Sequence, residues 1–220
     1  MIKNLIDIIG VTDKYLSYLY GKIEFSESGF PLFTKDMFLN EEPELIVPFY
    51  NRHHKVVKDP KKTAICFFGS DESLYRRLEN VFDDLKEYRL FQGVIGLDVT
   101  VTADMDTEWQ DAVMLLNQLF LAVLAVNGIK IVMNARIGGS DSIKNLMMFP
   151  KNMFWATSFL GCDNLRSETD YSFISKMLRL LPSKLLIYGK HDVIAENQLS
   201  IMGISYRTYT DFHRLSKEVA

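Results

Sequence analysis

The chain has 220 residues, 48% of them hydrophobic and 24% charged, with a formal net charge of −3. This suits one well-buried globular domain and excludes a disordered or fibrous chain. The slightly acidic balance gives no strong nucleic-acid signal, because non-specific DNA binding needs a basic surface to neutralise phosphates.

Residues 1–44 are the least regular part. The first ten are apolar, but they are short, carry Asp7 and lack a small-residue cleavage site, so they do not read as a signal peptide. Thr12-Asp13 can cap a short helix through Tyr20. Residues 26–43, with Gly29, Pro31, Asn40 and Pro43 among aromatics, read as a loop-rich segment packed on the body. Residues 45–220 read as a single α/β domain. Its first strand is 45–49, placed at an edge or an end by Pro48. A polar, basic loop follows over 51–62, then a strand over 64–68. Asp71 or Ser73 caps a helix to about Tyr88, with Leu74, Leu78, Val81, Phe82 and Leu85 on one face.

Residues 93–99 are the next strand. The strongest helix starts at Asp106 or Thr107 and runs through Val126, where Asn127-Gly128 ends it. Its apolar run from 112 to 126 is broken by Asn117-Gln118 and fits a buried core helix better than a membrane span, so no membrane is expected. Strands follow at 129–133, 153–160, 184–188 and 204–209. Helices open at Gly138-Gly139-Ser140-Asp141, at Thr169-Asp170 and at Val193, and the tail from Asp211 is a short polar helix. About seven nearly continuous apolar strands alternate with helices, which implies a mainly parallel sheet covered on both faces. Five runs end in polar or glycine-rich tips. Recurrence on successive strands favours a compact or incomplete TIM-barrel-like fold. The alternative, an open doubly wound sheet, would gather such tips at one switch point.

The tips carry the candidate chemistry. Asp98 and Thr100 share a face if their strand extends that far. Asp98 can serve as a general base, a metal ligand or an anchor for a ligand hydroxyl, or can simply accept backbone N–H bonds. Asn134 and Arg136 likewise share a face; they can hold a phosphate or carboxylate, or form a buried pair with Asp98 or Asp71. Asp71, at a strand-to-helix turn, caps the helix or joins Asp98 on a divalent cation, with Asp104 and Asp106 adding acidity. Gly138-Gly139-Ser140 before a helix can offer N–H groups to an anion, although it matches neither the Walker pattern nor the dinucleotide fingerprint. Cys162 at a strand end is a nucleophile only if a base or positive field activates it; otherwise it is buried apolar filling. Two isolated cysteines, Cys66 and Cys162, make neither a disulfide framework nor a zinc site, which implies a reducing cytoplasm. No Gly-x-Ser-x-Gly elbow occurs, which removes a serine hydrolase of the α/β-hydrolase type. His53-His54 with Arg52, Lys55, Lys58, Lys61 and Lys62 form a solvated basic stretch or a contact for an acidic partner.

Several motifs in one order, over about residues 45–190, resemble a bacterial and phage family classed only as a domain of unknown function. Leu97-Asp98-Val99-Thr100 is similar to its Pro-Asp-Phe-Ser motif, keeping the aspartate and a hydroxyl. Gly128-Ile129-Lys130-Ile131-Val132-Met133-Asn134-Ala135-Arg136-Ile137-Gly138 is similar to its Asn-x-Arg-Trp-Gly motif and the run before it, with Ile137 in place of tryptophan. Gly161-Cys162 and Tyr188-Gly189 match two further strand ends, and Val47-Pro48-Phe49 resembles the entry strand. Where the family tends to carry arginines in the long central helix, this chain has Asn117-Gln118. The resemblance implies a phage or mobile-element setting, hence the bacterial host cytoplasm, and brings no known activity.

The combined expectation is a protein that binds a small polar, anionic or nucleotide-like ligand at the C-terminal ends of its strands. Asp98 and Arg136 are the candidate catalytic pair, and Asp71, Thr100, Asn134, Gly138, Cys162 and Tyr188 the candidate ligand contacts. A divalent metal is an optional cofactor, and whether turnover follows binding is open. The alternatives are a non-enzymatic interaction protein acting on a host or phage component, and a nucleic-acid processing factor.

Overall fold

In the computed structural model, which describes residues 2, 4–159 and 172–218, the apolar runs form seven parallel strands in one sheet. They are β1 (Leu45–Pro48), β2 (Thr63–Cys66), β3 (Gly93–Ile95), β4 (Ile131–Asn134), β5 (Phe154–Ser158), β6 (Lys184–Gly189) and β7 (Ser205–Thr210). Each pairs with its successor, so the order runs from β1 to β7 without the reversal that a doubly wound sheet requires. The sheet curls into a nearly closed, TIM-barrel-like shape.

The edge strands β1 and β7 meet through side chains. Glu42, just before β1, pairs with Lys184 of β6 and, at 3.1 Å, with Arg207 of β7. The Tyr209 hydroxyl donates to the Pro43 carbonyl at 2.9 Å. At the opposite end of the seam the His54 ring stands edge-on to Phe212, with centroids 5.0 Å apart.

Strand alternation sorts two cores. Ile46, Ala64, Cys66, Ile95, Val132, Ala156, Leu186, Tyr188 and Tyr209 point inward and join Leu39, which enters from the N-terminal end. The intervening residues, such as Ile65, Val94, Met133, Trp155 and Ile187, face the helices and belong to the larger outer core. The bore is narrow, and small residues fit it. A Cβ at Gly93 would sit 3.1 Å from the Lys130 carbonyl and 3.3 Å from Leu39. At the C-terminal end Phe68, just past β2, stacks on Tyr188 of β6 with centroids 5.4 Å apart, although these strands are not neighbours.

The helices are α1 (Leu5–Leu19), α2 (Asp71–Glu79), α3 (Val81–Tyr88), α4 (Thr107–Val126), α5 (Ser172–Leu180), α6 (Val193–Ile201) and α7 (Phe212–Glu218). Two differ from expectation. The first starts well before Thr12: the Asn4 side chain accepts the Asp7 N–H at 3.1 Å, and Ile8, Tyr15 and Leu19 are buried on the helix it opens. This α1 packs against α4. The helix expected from Asp71 to Tyr88 is two helices. Asn80 leaves helical geometry (φ −103°, ψ 15°), and its carbonyl accepts the N–H groups of Asp83 and Asp84 to start α3. Leu74, Leu78 and Val81 are buried across the break, so the apolar stripe hides it. Ser140–Leu146 is a short 3-10 helix. The expected helix cap Thr169-Asp170 and Gly161-Cys162 lie outside the described residues.

Among the described residues α4 is the one helix long and apolar enough to cross a membrane, yet 61% of its most apolar window is buried inside the protein. It serves as the core helix against the sheet.

Candidate functional site

The site begins where β3 leaves the ladder. The expected strand through Val99 stops at Ile95, and Gly96 makes one more ladder-like bond, its N–H donating to the Val132 carbonyl at 2.9 Å. The Leu97 backbone then pairs with a side chain: Asn117 Oδ1 of α4 accepts the Leu97 N–H and Asn117 Nδ2 donates to the Leu97 carbonyl, both at 3.1 Å, while the next N–H, of Asp98, returns to the Phe67 carbonyl just past β2 at 3.4 Å. Buried backbone groups need such partners. This clip fixes the residue immediately before Asp98.

Asp98 accepts a 2.8 Å hydrogen bond from Asn134 Nδ2, at the end of β4. Arg136 Nη1 lies 3.8 Å from Asp98 Oδ1, and the two side chains are 34% and 22% exposed. Lys176 of α5 donates to the Ala135 carbonyl at 2.9 Å. Burial pushes the Asp98 carboxyl above its ordinary pKa; the Arg136 charge, the Asn134 bond and Lys176 act against that rise, and Asp71 adds to it.

This shift has a pH signature. The native state holds the Asp98 proton more tightly than the unfolded chain does. The stabilisation from this group is therefore complete below the ordinary carboxylate range and is lost as pH rises through the raised pKa. The Tm of Asp98→Asn is expected to match wild type at low pH and to exceed it near neutrality. Thermal unfolding at a series of pH values checks this, and a pH-independent difference contradicts it.

The other predicted residues are placed as follows. Thr100 does not extend a strand face with Asp98; its N–H and hydroxyl both donate to Asp71 Oδ1, at 3.0 and 3.1 Å. Asp71 thus ties the loop after β3 to the start of α2. Gly138 and Gly139 direct their N–H groups inward, to Ser142 Oγ at 3.0 Å and to Gln110 Oε1 at 3.1 Å. Gly138 is needed for close approach: a Cβ there would meet Gln110 Oε1 at 2.3 Å and the Val101 side chain at 2.8 Å. Tyr188 is buried, and its hydroxyl accepts the Phe212 N–H at 2.9 Å. Burial pushes its phenol well up, as it does the Cys66 thiol, so neither is poised to ionise. Cys162 lies outside the described residues.

The cation site from Asp71, Asp98, Asp104 and Asp106 does not form. Among the described residues no group of three or more His, Cys, Asp or Glu could hold a metal ion. Asp106 instead caps α4, accepting the Glu108 N–H at 2.8 Å.

Asn117, Gln118 and Lys176 are the additions. The first two were visible as polar interruptions in an apolar helix. Lys176 gave no signal, because a lysine on an amphipathic helix is ordinary and only the fold brings it to Asp98.

Asp98, Asn134 and Arg136 thus meet at the C-terminal ends of adjacent strands, with Asp71 and Thr100 bonded to each other beside them. No family model matches the chain, and neither a curated protein nor a solved structure matches it.

Proposed function

We propose that this protein binds a small anionic, nucleotide-like ligand at the C-terminal ends of β3 and β4. Arg136 takes the phosphate or carboxylate, and Asp98 takes a donor of the ligand. In the setting implied by the family resemblance, this is a phage or mobile-element protein working in the bacterial cytoplasm.

One contrast carries the reading. Arg77 and Asp84 form a structural ion pair, at 2.7 Å with 11% and 14% side-chain exposure. Arg136 and Asp98 stand 3.8 Å apart, beyond charge-assisted hydrogen-bond length, and both reach solvent. Their geometry leaves guanidinium donors for a planar anion. A carboxyl with a raised pKa beside them suits proton transfer, if the bound ligand is also turned over.

The basic loop supports a partner-binding role less well. Arg52 and His53 pair with Glu87 at 3.0 Å, Lys62 pairs with Glu44 at 2.8 Å, and Lys61 Nζ donates to the Arg89 carbonyl at 2.9 Å. Its charges are largely engaged within the molecule.

Isothermal titration with phosphate, pyrophosphate and ADP tests the reading. Binding is expected to weaken with salt and to fall at least about ten-fold in Arg136→Gln, the cost of losing a charge-assisted contact, while Lys58→Glu leaves it unchanged. Absence of binding to all three, or equal binding by Arg136→Gln, contradicts it.

A further inference from the structure

Two buried polar atoms near the site, Arg136 Nε and Gln118 Oε1, have no hydrogen-bond partner among the described residues. Such atoms are rare and costly in native proteins. Gln118 is 1% exposed, and its other end is fixed by a 2.8 Å bond from Nε2 to the Asn145 carbonyl. Both residues line one cavity between α4 and the ends of β3 and β4, walled by Leu97, Val113, Met114 and Met133. The cavity measures about 10 Å³, close to the least that holds one water molecule. One orphan atom is a donor and the other an acceptor, and water is both.

We infer that this cavity is a binding site for a single water molecule, which accepts the Nε–H of Arg136 and donates to Oε1 of Gln118, making Gln118 a positioning residue for the guanidinium. The guanidinium is planar, so holding Nε inward while Nη1 faces Asp98 fixes its plane and leaves the Nη2 edge for an anion. The water site stands on the cavity alone; the benefit to anion binding rests on the function proposed above.

A high-resolution crystal structure of the wild-type chain is expected to show one water within hydrogen-bond distance of both atoms. An empty cavity, or a direct bond between the two side chains, overturns the site. Gln118→Met keeps the length and removes the acceptor. Its Arg136 Nε–H, followed by ¹⁵N NMR, is expected to exchange with solvent faster than in wild type, and pyrophosphate affinity to fall about five-fold. Unchanged exchange overturns the positioning role, and Gln118→Leu repeats the measurement if the methionine variant does not fold. If exchange accelerates but wild type binds no pyrophosphate, the anion-binding reading fails and the positioning role stands.

Discussion

Asn117→Ala is expected to lower the unfolding free energy by about 3 kcal/mol. The change removes two hydrogen bonds, leaves the N–H of Leu97, a fully buried residue, without a partner, and leaves its carbonyl only a long bond from Asn134 Nδ2. Each orphaned buried group costs about 1–3 kcal/mol. Alanine is the better helix former, which returns only about 0.5 kcal/mol. The loss is local as well as global, because Leu97 precedes Asp98 and its carbonyl also receives Asn134 Nδ2 at 3.4 Å. Pyrophosphate affinity is therefore expected to fall together with stability. Urea denaturation with an unchanged m-value measures the first effect and calorimetry the second. A stability loss under about 1 kcal/mol would mean that the loop after β3 holds itself in place.

Phe120→Ala is expected to cost about 4 kcal/mol, within the range for emptying a buried aromatic site. Phe120 of α4 is fully buried, with its ring edge-on to Phe67 at 5.8 Å and to Tyr88 at 6.1 Å. Phe67 in turn stacks on Phe49 at 5.8 Å, and Phe49 meets Tyr88 at 5.3 Å. These four rings tie the end of β1, the end of β2, α3 and α4 together. Neighbouring aromatic rings close a cavity poorly, so collapse recovers little of the cost. Phe120→Leu, which refills most of the space, is expected to cost about 1–2 kcal/mol. Equal losses for both variants would point to the ring contacts rather than to volume.

The strands were legible because burial on both faces demands unbroken apolar runs such as residues 64–67 and 185–187, and their order followed from alternation with helices. Ladder ends were less legible. Leu97 and Val99 are as apolar as Val94, and nothing local announces that a side chain from α4 pairs with the Leu97 backbone. The first helix was hidden for a different reason. Ile6 and Ile9 are 78% and 51% exposed, which blurs the face formed by Ile8, Tyr15 and Leu19.

In the site, the two-residue spacing of Asn134 and Arg136 placed both at the end of β4, and their approach to Asp98 follows from the pairing of β3 with β4. The bond between Asp71 and Thr100 was not foreseen, because it joins segments 29 residues apart through a turn. The polar pair Asn117-Gln118 was conspicuous in the sequence. Its use was not, since a helix residue's partner depends on how the helix lies across the sheet.

The seam between β1 and β7 orders events in time. Every strand lies beside the one that follows it in the chain, so the sheet can grow in the order in which a ribosome releases it. Glu42 is among the early residues of that sequence, but its partner Arg207 stands 165 positions later. Until β6 and β7 emerge, Glu42 has neither Lys184 nor Arg207 to pair with, and Phe68 has no Tyr188 to stack on. Closure thus depends on the C-terminal strands, and a chain truncated before Lys184 would carry an almost complete set of candidate site residues on an unclosed sheet.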